Sequence, residues 1–214
     1  MNILSILSQK GGTGKTTLAI NLAVTAARHF DGRVTLIDLD PQASAANWRY
    51  SRAEPAPEVV SAQANRLAHH LEEARQSGSR WVLIDTAPHS ESAALAAARA
   101  ADLVLIPCRP AILDLRAIGN TIELIRLANT PGAVVLNAVP ARGSLADEAA
   151  EAVAGYEVPL VPVRLTQRSA FMHSLTVGKG IQEYEPRGKG AQELQQLFEW
   201  VRATVDRQPM KSRT

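Results

Sequence analysis

Cysteine is almost absent from this chain, and its scarcity limits the chemistry available to the protein. Cys108 is the single cysteine among 214 residues. Neither an internal disulfide nor a metal site built from several cysteines can therefore form within one chain. Because Cys108 lies in an apolar run that predicts a strand, we interpret it as a small buried residue rather than a reactive thiol.

Long apolar runs and a strong excess of one charge are also missing. No stretch approaches the roughly 18 apolar residues of a membrane-spanning helix. Lys10 interrupts the first apolar run well short of a signal-peptide core, so we expect a cytoplasmic protein. Lysine and arginine number 23 against 21 acidic residues, a net charge of +2, which by itself does not indicate DNA binding.

The apolar content of 46% over 214 residues is sufficient for one substantial core. Strand and helix patterns alternate, which predicts an α/β fold with a mostly parallel sheet and helices on both faces. We expect one domain over residues 1–207 and a short polar tail over residues 208–214. The predicted strands are 3–7, 103–107, 133–139 and 160–163, with two more in the runs that begin at Arg33 and Trp81, and the predicted helices are 16–30, 65–76, 91–101, 113–127, 145–154 and 190–206. Residues 52–57, with two prolines, are typical of a connection between elements.

Glycine and lysine are concentrated between the first predicted strand and the first predicted helix. Glycines let backbone N–H groups surround phosphate oxygens, and a helix N-terminus attracts the same anion. The general phosphate-loop pattern places a lysine on the β- and γ-phosphates and a hydroxyl on Mg²⁺, and Lys15 and Thr16 occupy those positions. The alternative, a glycine-rich turn with chance lysines, is disfavoured by the strand and helix on either side. The predicted nucleotide-binding residues of the loop are Gly11, Gly12, Thr13, Gly14, Lys15, Thr16 and Thr17.

Acidic residues end two of the predicted strands. Asp38 and Asp40 follow the run from Arg33, and Asp85 follows the run from Trp81. Parallel strands deliver such residues to the carboxyl edge of the sheet, where open α/β sheets bind ligands. An isolated aspartate in this context is often a helix N-cap or a turn former instead.

The segment Lys-Gly-Gly-Thr-Gly-Lys-Thr, residues 10–16, resembles the deviant Walker A motif of the ParA/MinD superfamily of ATPases, a class of the P-loop NTPase fold. Here Gln9 replaces the first glycine of the general pattern and Lys10 follows it. Asp-Leu-Asp-Pro-Gln, residues 38–42, resembles the switch I motif of that superfamily. Trp-Val-Leu-Ile-Asp-Thr-Ala-Pro, residues 81–88, resembles its Walker B and switch II motifs.

The resemblance implies a homodimer with two ATP molecules at its interface and Lys10 reaching the partner's nucleotide. It also implies catalytic roles for Lys10, Lys15 and Asp40, with Asp40 positioning the attacking water. Asp38 would support the Mg²⁺ shell and Asp85 would bind Mg²⁺ through water, together with Thr16. The cofactors implied are ATP and Mg²⁺.

Two later positions are candidates for contact with the adenine base. Asn137 follows the predicted strand Val-Val-Leu, and its amide offers both a donor and an acceptor. A turn-forming role is an equal alternative for this residue. Pro107 begins Pro-Cys-Arg-Pro, which resembles the proline-containing loop that borders the base in the superfamily.

The segments 166–171 and 178–186 resemble the carboxyl-terminal part of small ParA partition ATPases. The resemblance implies ATP-dependent, non-specific DNA binding through basic residues, for which Arg168 is the first candidate and Arg164 and Lys179 follow. An ion pair inside the dimer interface is the competing role for Arg168. We expect association with the nucleoid in the ATP-bound state and a small ParB-like or other activating partner protein.

Two other functions compete with DNA-dependent positioning. A MinD-like ATPase would attach to a membrane, but the predicted final helix carries acidic residues and an apolar stripe typical of packing onto a sheet, so no membrane partner is expected. A synthetase would phosphorylate a small carboxylate, and the sequence supplies no recognisable site for one.

Overall fold

The computed structural model describes residues 1–88 and 90–207. The strands are β1 (Asn2–Ile6), β2 (Val34–Asp38), β3 (Glu58–Ser61), β4 (Trp81–Asp85), β5 (Leu103–Cys108) and β6 (Gly132–Leu136). The helices are α1 (Lys15–His29), α2 (Ser44–Tyr50), α3 (Leu67–Gln76), α4 (Glu91–Ala100), α5 (Ile112–Leu127), α6 (Leu145–Ala154), α7 (Ser169–Thr176), α8 (Ile181–Tyr184) and α9 (Lys189–Asp206), with a 3₁₀ turn at Ala64–Arg66. The predicted tail, residues 208–214, lies outside the described residues.

The strands form one parallel sheet in the order β3-β2-β4-β1-β5-β6. β1 lies inside the sheet between β4 and β5, so the loop that follows it emerges at the middle of the carboxyl edge. Asp38 of β2 is level with Asp85 of β4 in the strand register. The parallel α/β fold predicted from the alternating pattern is confirmed.

Helices cover both faces of the sheet, and alternating side chains of each strand enter two separate cores. In β1, Leu4 and Ile6 face the core that contains α1 and α9, whereas Ile3 faces the core that contains α3 to α6. The apolar stripe of α9, including Leu197 and Phe198, is fully buried on the sheet. Among the described residues, no helix combines the length and apolar content needed to span a membrane.

One predicted strand is wrong. Residues 160–163 form no strand, and only an isolated bridge joins Leu160 to Val134. Pro159 and Pro162 flank and interrupt this segment, and proline cannot donate a ladder hydrogen bond.

Four elements escaped prediction because they are short: β3, α2, α7 and α8. β3 is an edge strand whose side chains are only partly buried, so its apolar pattern is weak. The predicted connection at 52–57 is confirmed, since it contains neither helix nor strand.

Candidate nucleotide site

The glycine-rich loop joins β1 to α1 and uses backbone conformations that favour glycine. Gly12 and Gly14 have φ angles of 76° and 91°, which L residues with a Cβ rarely adopt. Gly14 is the N-cap of α1, so the unpaired N–H groups of the helix open into the loop. A Cβ on Gly14 would lie 2.3 Å from Nδ2 of Asn137, so any other residue here would also displace the Asn137 amide.

Lys15 begins α1 and is a buried cation with little protein compensation. Its side chain is 6% exposed, and Nζ lies 3.4 Å from the carbonyl oxygen of Lys10. Burial lowers the pKa of Lys15, while attraction to Asp85 and Asp40 opposes that shift. An anionic phosphate group would supply the compensation that this cation lacks.

Asp85 at the end of β4 is a buried carboxylate that lies near the Thr16 hydroxyl and the Lys15 ammonium but accepts no hydrogen bond of normal length and angle within the described residues. The residue is fully buried, and neither oxygen has a partner of normal geometry among the described residues. Burial is the main reason that its pKa rises to about 7, and the charges of Asp38 and Asp40 act in the same direction. The nearby Thr16 hydroxyl and Lys15 ammonium favour the charged form.

These groups fit a magnesium nucleotide. Mg²⁺ is usually held by one or two carboxylates and a hydroxyl together with phosphate oxygens, rather than by an all-protein cage. No group of three or more metal-ligating side chains occurs within residues 1–88 and 90–207. Asp85 and Thr16 would therefore hold Mg²⁺ only together with a bound phosphate chain.

Asp38 at the end of β2 caps the N-terminus of α2 with its side chain. Its Oδ2 accepts hydrogen bonds from the backbone N–H groups of Ala45, at 2.9 Å, and Ala46, at 3.2 Å, in the first turn of α2. Its Oδ1 accepts one from the N–H of Asp40 at 3.0 Å. Burial raises the pKa of Asp38, and the three backbone hydrogen bonds oppose the shift. The capping alternative is thus realised, while Oδ1 keeps a lone pair for the shell of a metal.

Asp40 is the most accessible of the three carboxylates. It is half-buried, and its Oδ1 accepts a hydrogen bond from the backbone N–H of Gln42 at 2.9 Å. This bond orients the carboxylate and leaves Oδ2 for a water molecule. The geometry is compatible with the role predicted for Asp40.

Helix α5 holds the first two residues of the loop. Nζ of Lys10 lies 2.6 Å from Oδ2 of Asp114, whose side chain is 8% exposed. The hydroxyl of Thr121 accepts a hydrogen bond from the N–H of Gln9 at 3.2 Å. Asp114 and Thr121 are two turns apart and share one face of α5. Sequence reasoning missed both residues, because nothing in their local pattern distinguishes them.

Residues 4–180 match the family described as the CobQ/CobB/MinD/ParA nucleotide binding domain. The chain belongs to this family. It is 34% identical to the maintenance of carboxysome distribution protein A (McdA) of Gloeobacter kilaueensis, covering 96% of this chain and 94% of that protein. It is 30% identical to the chromosome-partitioning ATPase Soj of Thermus thermophilus, covering 94% and 96%. The septum site-determining protein MinD of Pyrococcus horikoshii, solved with Mg-ADP, has a similar fold, with a TM-score of 0.72, 21% identity and coverage of 94% and 95%.

The two candidate adenine contacts of this ParA/MinD-type domain occupy different environments. Nδ2 of Asn137 donates a hydrogen bond to the carbonyl oxygen of Thr13 at 2.8 Å, so Asn137 braces the phosphate loop. Pro107 does not lie in a loop, which corrects the expectation: it is buried within β5 and paired with Val135. The exposed connection begins only at Arg109. Base contact stays a prediction for both candidates.

The structure separates the three basic residues predicted to bind DNA. Nη2 of Arg164 lies 2.7 Å from Asp147, and Nη2 of Arg168 lies 2.7 Å from Glu193. The ion pair of Arg168 lies within one chain, so the competing role at a dimer interface stays a prediction. Lys179 is exposed and has no ion pair within the described residues.

Proposed function

We propose that this chain is an ATPase of the ParA type that dimerises with ATP and Mg²⁺, binds DNA without sequence specificity, and hydrolyses ATP to release it. The observation that carries the nucleotide chemistry is the unpartnered, fully buried carboxylate of Asp85 beside Lys15 and Thr16. A buried carboxylate with so little hydrogen bonding is typical of a functional site, where a bound ligand supplies the missing partner.

The proposed reaction is transfer of the γ-phosphoryl group of ATP to water, which yields ADP and phosphate. Lys15 and the loop N–H groups bind the phosphates and offset their charge. Asp40 orients the attacking water, whose oxygen bonds to the γ-phosphorus as the bond to the bridging oxygen breaks. Bound Mg²⁺ supplies further charge neutralisation at the phosphates. Lys10 completes the site of a second copy in the dimer.

The names of relatives and the exposure of Lys179 suggest what this ATPase positions and what surface it binds. McdA and Soj are named for carboxysome distribution and chromosome partitioning, and both names concern placing a large cargo inside a cell. We propose the same class of task here, in the cytoplasm and on the nucleoid, with a small activating partner that marks the cargo. Lys179 is the proposed contact to DNA phosphates, because Arg164 and Arg168 are engaged in ion pairs.

Two structural facts argue against the competing functions, which are membrane attachment and the phosphorylation of a small carboxylate. The apolar stripe of α9 is buried in the core, so it is not displayed for insertion into a bilayer. Asp40 is half-buried at the carboxyl edge, and its Oδ1 accepts the N–H of Gln42. A carboxylate at this place favours water as the phosphoryl acceptor, because its charge would repel a small carboxylate.

The decisive experiment measures binding to non-specific duplex DNA with ATP, with ADP and without nucleotide, at two salt concentrations. We expect binding only with ATP, weakening with salt, and reduced by Lys179→Ala. Arg99→Ala is the matched control, since Arg99 is an exposed cation on α4, across the sheet from Lys179. If the protein is shown to dimerise with ATP and still does not bind DNA, the proposed DNA binding is rejected. Phosphate release that requires an added carboxylate would favour a synthetase.

A further inference from the structure

Helix α2 connects the nucleotide edge to a distant loop. Its first turn is capped by Asp38, through the N–H groups of Ala45 and Ala46. The helix is only 7 residues long, so its far end lies about 10 Å from that cap. Arg52 follows just beyond this end. A change in the partners of Asp38 would therefore act on the helix that directly precedes Arg52.

Arg52 is a buried cation with a complete set of partners. Its side chain is 3% exposed, and its guanidinium forms a two-pronged ion pair with Glu183, at 2.7 and 2.8 Å. It also donates to the carbonyl oxygens of Gly178, at 3.0 Å, and Ala56, at 2.7 Å. Its Cζ lies 5.0 Å from the ring centre of Trp48 on α2. Planar, two-pronged pairing of this kind fixes orientation as well as distance.

The loop that Arg52 holds is packed directly against the end of α2. Gly178 has a φ of +68°, and a Cβ there would lie 2.1 Å from the carbonyl oxygen of Ser51. The next residue is Lys179. Glu183 accepts a hydrogen bond from the N–H of Gly180 at 2.9 Å, which closes the loop onto the same ion pair. Lys179 therefore stands on a loop fixed on both sides by one buried pair.

The same loop is also tied to the phosphate-binding helix. Oδ1 of Asn21, which is fully buried in α1, accepts the N–H of Ile181 at 2.7 Å, and Nδ2 of Asn21 donates to the carbonyl oxygen of Thr17 at 2.8 Å. The Lys179 loop is thus attached to α1, behind the phosphate loop, and to α2, behind Asp38.

We infer that Arg52, with Glu183, is a positioning residue. Through this pair, the position of Lys179 depends on whether nucleotide is bound at the carboxyl edge of the sheet, beside Asp38. When the partners of Asp38 change, α2 shifts and carries the loop with it. By linkage, the factor by which bound nucleotide changes the affinity of the Lys179 loop for its ligand is also the factor by which that ligand changes the affinity for nucleotide. The inference rests on the proposed function for two claims: that Mg²⁺ and nucleotide bind beside Asp38, and that Lys179 meets DNA.

The test uses a thiol label, because the single native cysteine, Cys108, is fully buried. An environment-sensitive fluorophore is attached to Lys179→Cys, and its emission is followed as Mg²⁺ and a non-hydrolysable ATP analogue are added. We expect a saturable change in emission. Removing one member of a buried ion pair risks unfolding, whereas replacing both with apolar residues of similar volume is tolerated. The test variant is therefore Arg52→Met with Glu183→Met.

In that double variant we expect the emission change to fall at least threefold while analogue affinity stays within about twofold. The matched control replaces another internal ion pair, Arg168 with Glu193, by the same two methionines and should keep the full change. An equal change in both double variants, or no change in the parent, would overturn the inference. DNA binding by the unlabelled protein is measured in parallel. If the emission changes but the protein does not bind DNA, only the proposed DNA binding is rejected. If the protein binds DNA but the emission does not change, only the present inference is rejected.

Discussion

Lys10 and Asp114 lie 104 positions apart in the sequence, and their side chains form an ion pair of 2.6 Å beside the phosphate loop. The lysine that the ParA/MinD resemblance assigns to a partner's nucleotide is therefore held by its own chain. In the proposed dimer, Lys10 would have to leave Asp114 before it reached the second subunit. The ion pair would then oppose dimerisation by the free energy needed to break it.

Asp114→Asn should lower the ATP concentration needed for half-maximal dimerisation. Because Lys10 is about one-third exposed, the pair contributes on the order of 1 kcal/mol, which corresponds to roughly fivefold in ATP concentration. Sedimentation velocity across an ATP titration would measure the shift. Asp147→Asn, which removes the exposed pair with Arg164, is the control and should change nothing. A higher ATP requirement in Asp114→Asn would contradict the opposing role.

Asp40→Ala should separate nucleotide binding from hydrolysis. Loss of the water-orienting carboxylate should slow phosphate release by roughly 100-fold or more, while ATP-dependent dimers persist. Lys15→Ala should instead abolish nucleotide binding, because it removes the buried cation that meets the phosphates. Phosphate release and dimer lifetime, measured on the same preparations, check both variants. Normal turnover by Asp40→Ala would show that another group positions the water.

Asp85 should make the ligand-free protein less stable as pH rises. Its folded pKa of about 7 lies above its ordinary value of 3.8, so the unfolded chain loses this proton first. Stability from this group is complete below about pH 4 and is lost as the pH rises through 7. Asp85→Asn should therefore raise the free energy of unfolding at pH 8 by roughly 2–4 kcal/mol and change it little at pH 4.

Urea unfolding at the two pH values would measure this difference between Asp85→Asn and the parent. Added Mg²⁺ and ATP should stabilise the parent more than the variant, because the amide lacks the negative charge that attracts Mg²⁺. Asp147→Asn serves again as an exposed control. Equal pH profiles for parent and Asp85→Asn would mean that the carboxylate is compensated within the protein.

Thr121→Val should weaken ATP binding while Thr121→Ser should preserve it. Valine matches threonine in shape but leaves the N–H of Gln9 without its acceptor. Loss of one such bond corresponds to roughly 0.5–1.5 kcal/mol, or about two- to thirteenfold in affinity. Calorimetric titration with ATP would measure it. Equal affinities of the valine and serine variants would show that the hydroxyl does not position the loop.

The phosphate loop and the acids could be read from the sequence because their geometry is local. Gly14, Lys15 and Thr16 are consecutive and need only a strand before them and a helix after them. Asp38 and Asp85 were placed at one edge because parallel strands end there together, and their register confirms this. The longer helices could also be predicted from the sequence, because the 3.6-residue periodicity of apolar residues is visible within each segment alone.

The sequence by itself therefore determined the fold class, the phosphate loop and the acidic edge. Only the tertiary structure decided that Asp114 holds Lys10, that Thr121 holds Gln9, and that Arg52 holds the loop of Lys179. These partners are 104, 112 and at least 126 positions apart. Their meeting depends on how α5 and the segment after α7 pack on the sheet. No pattern within a segment records that packing, because the contacts between segments form only in the folded chain.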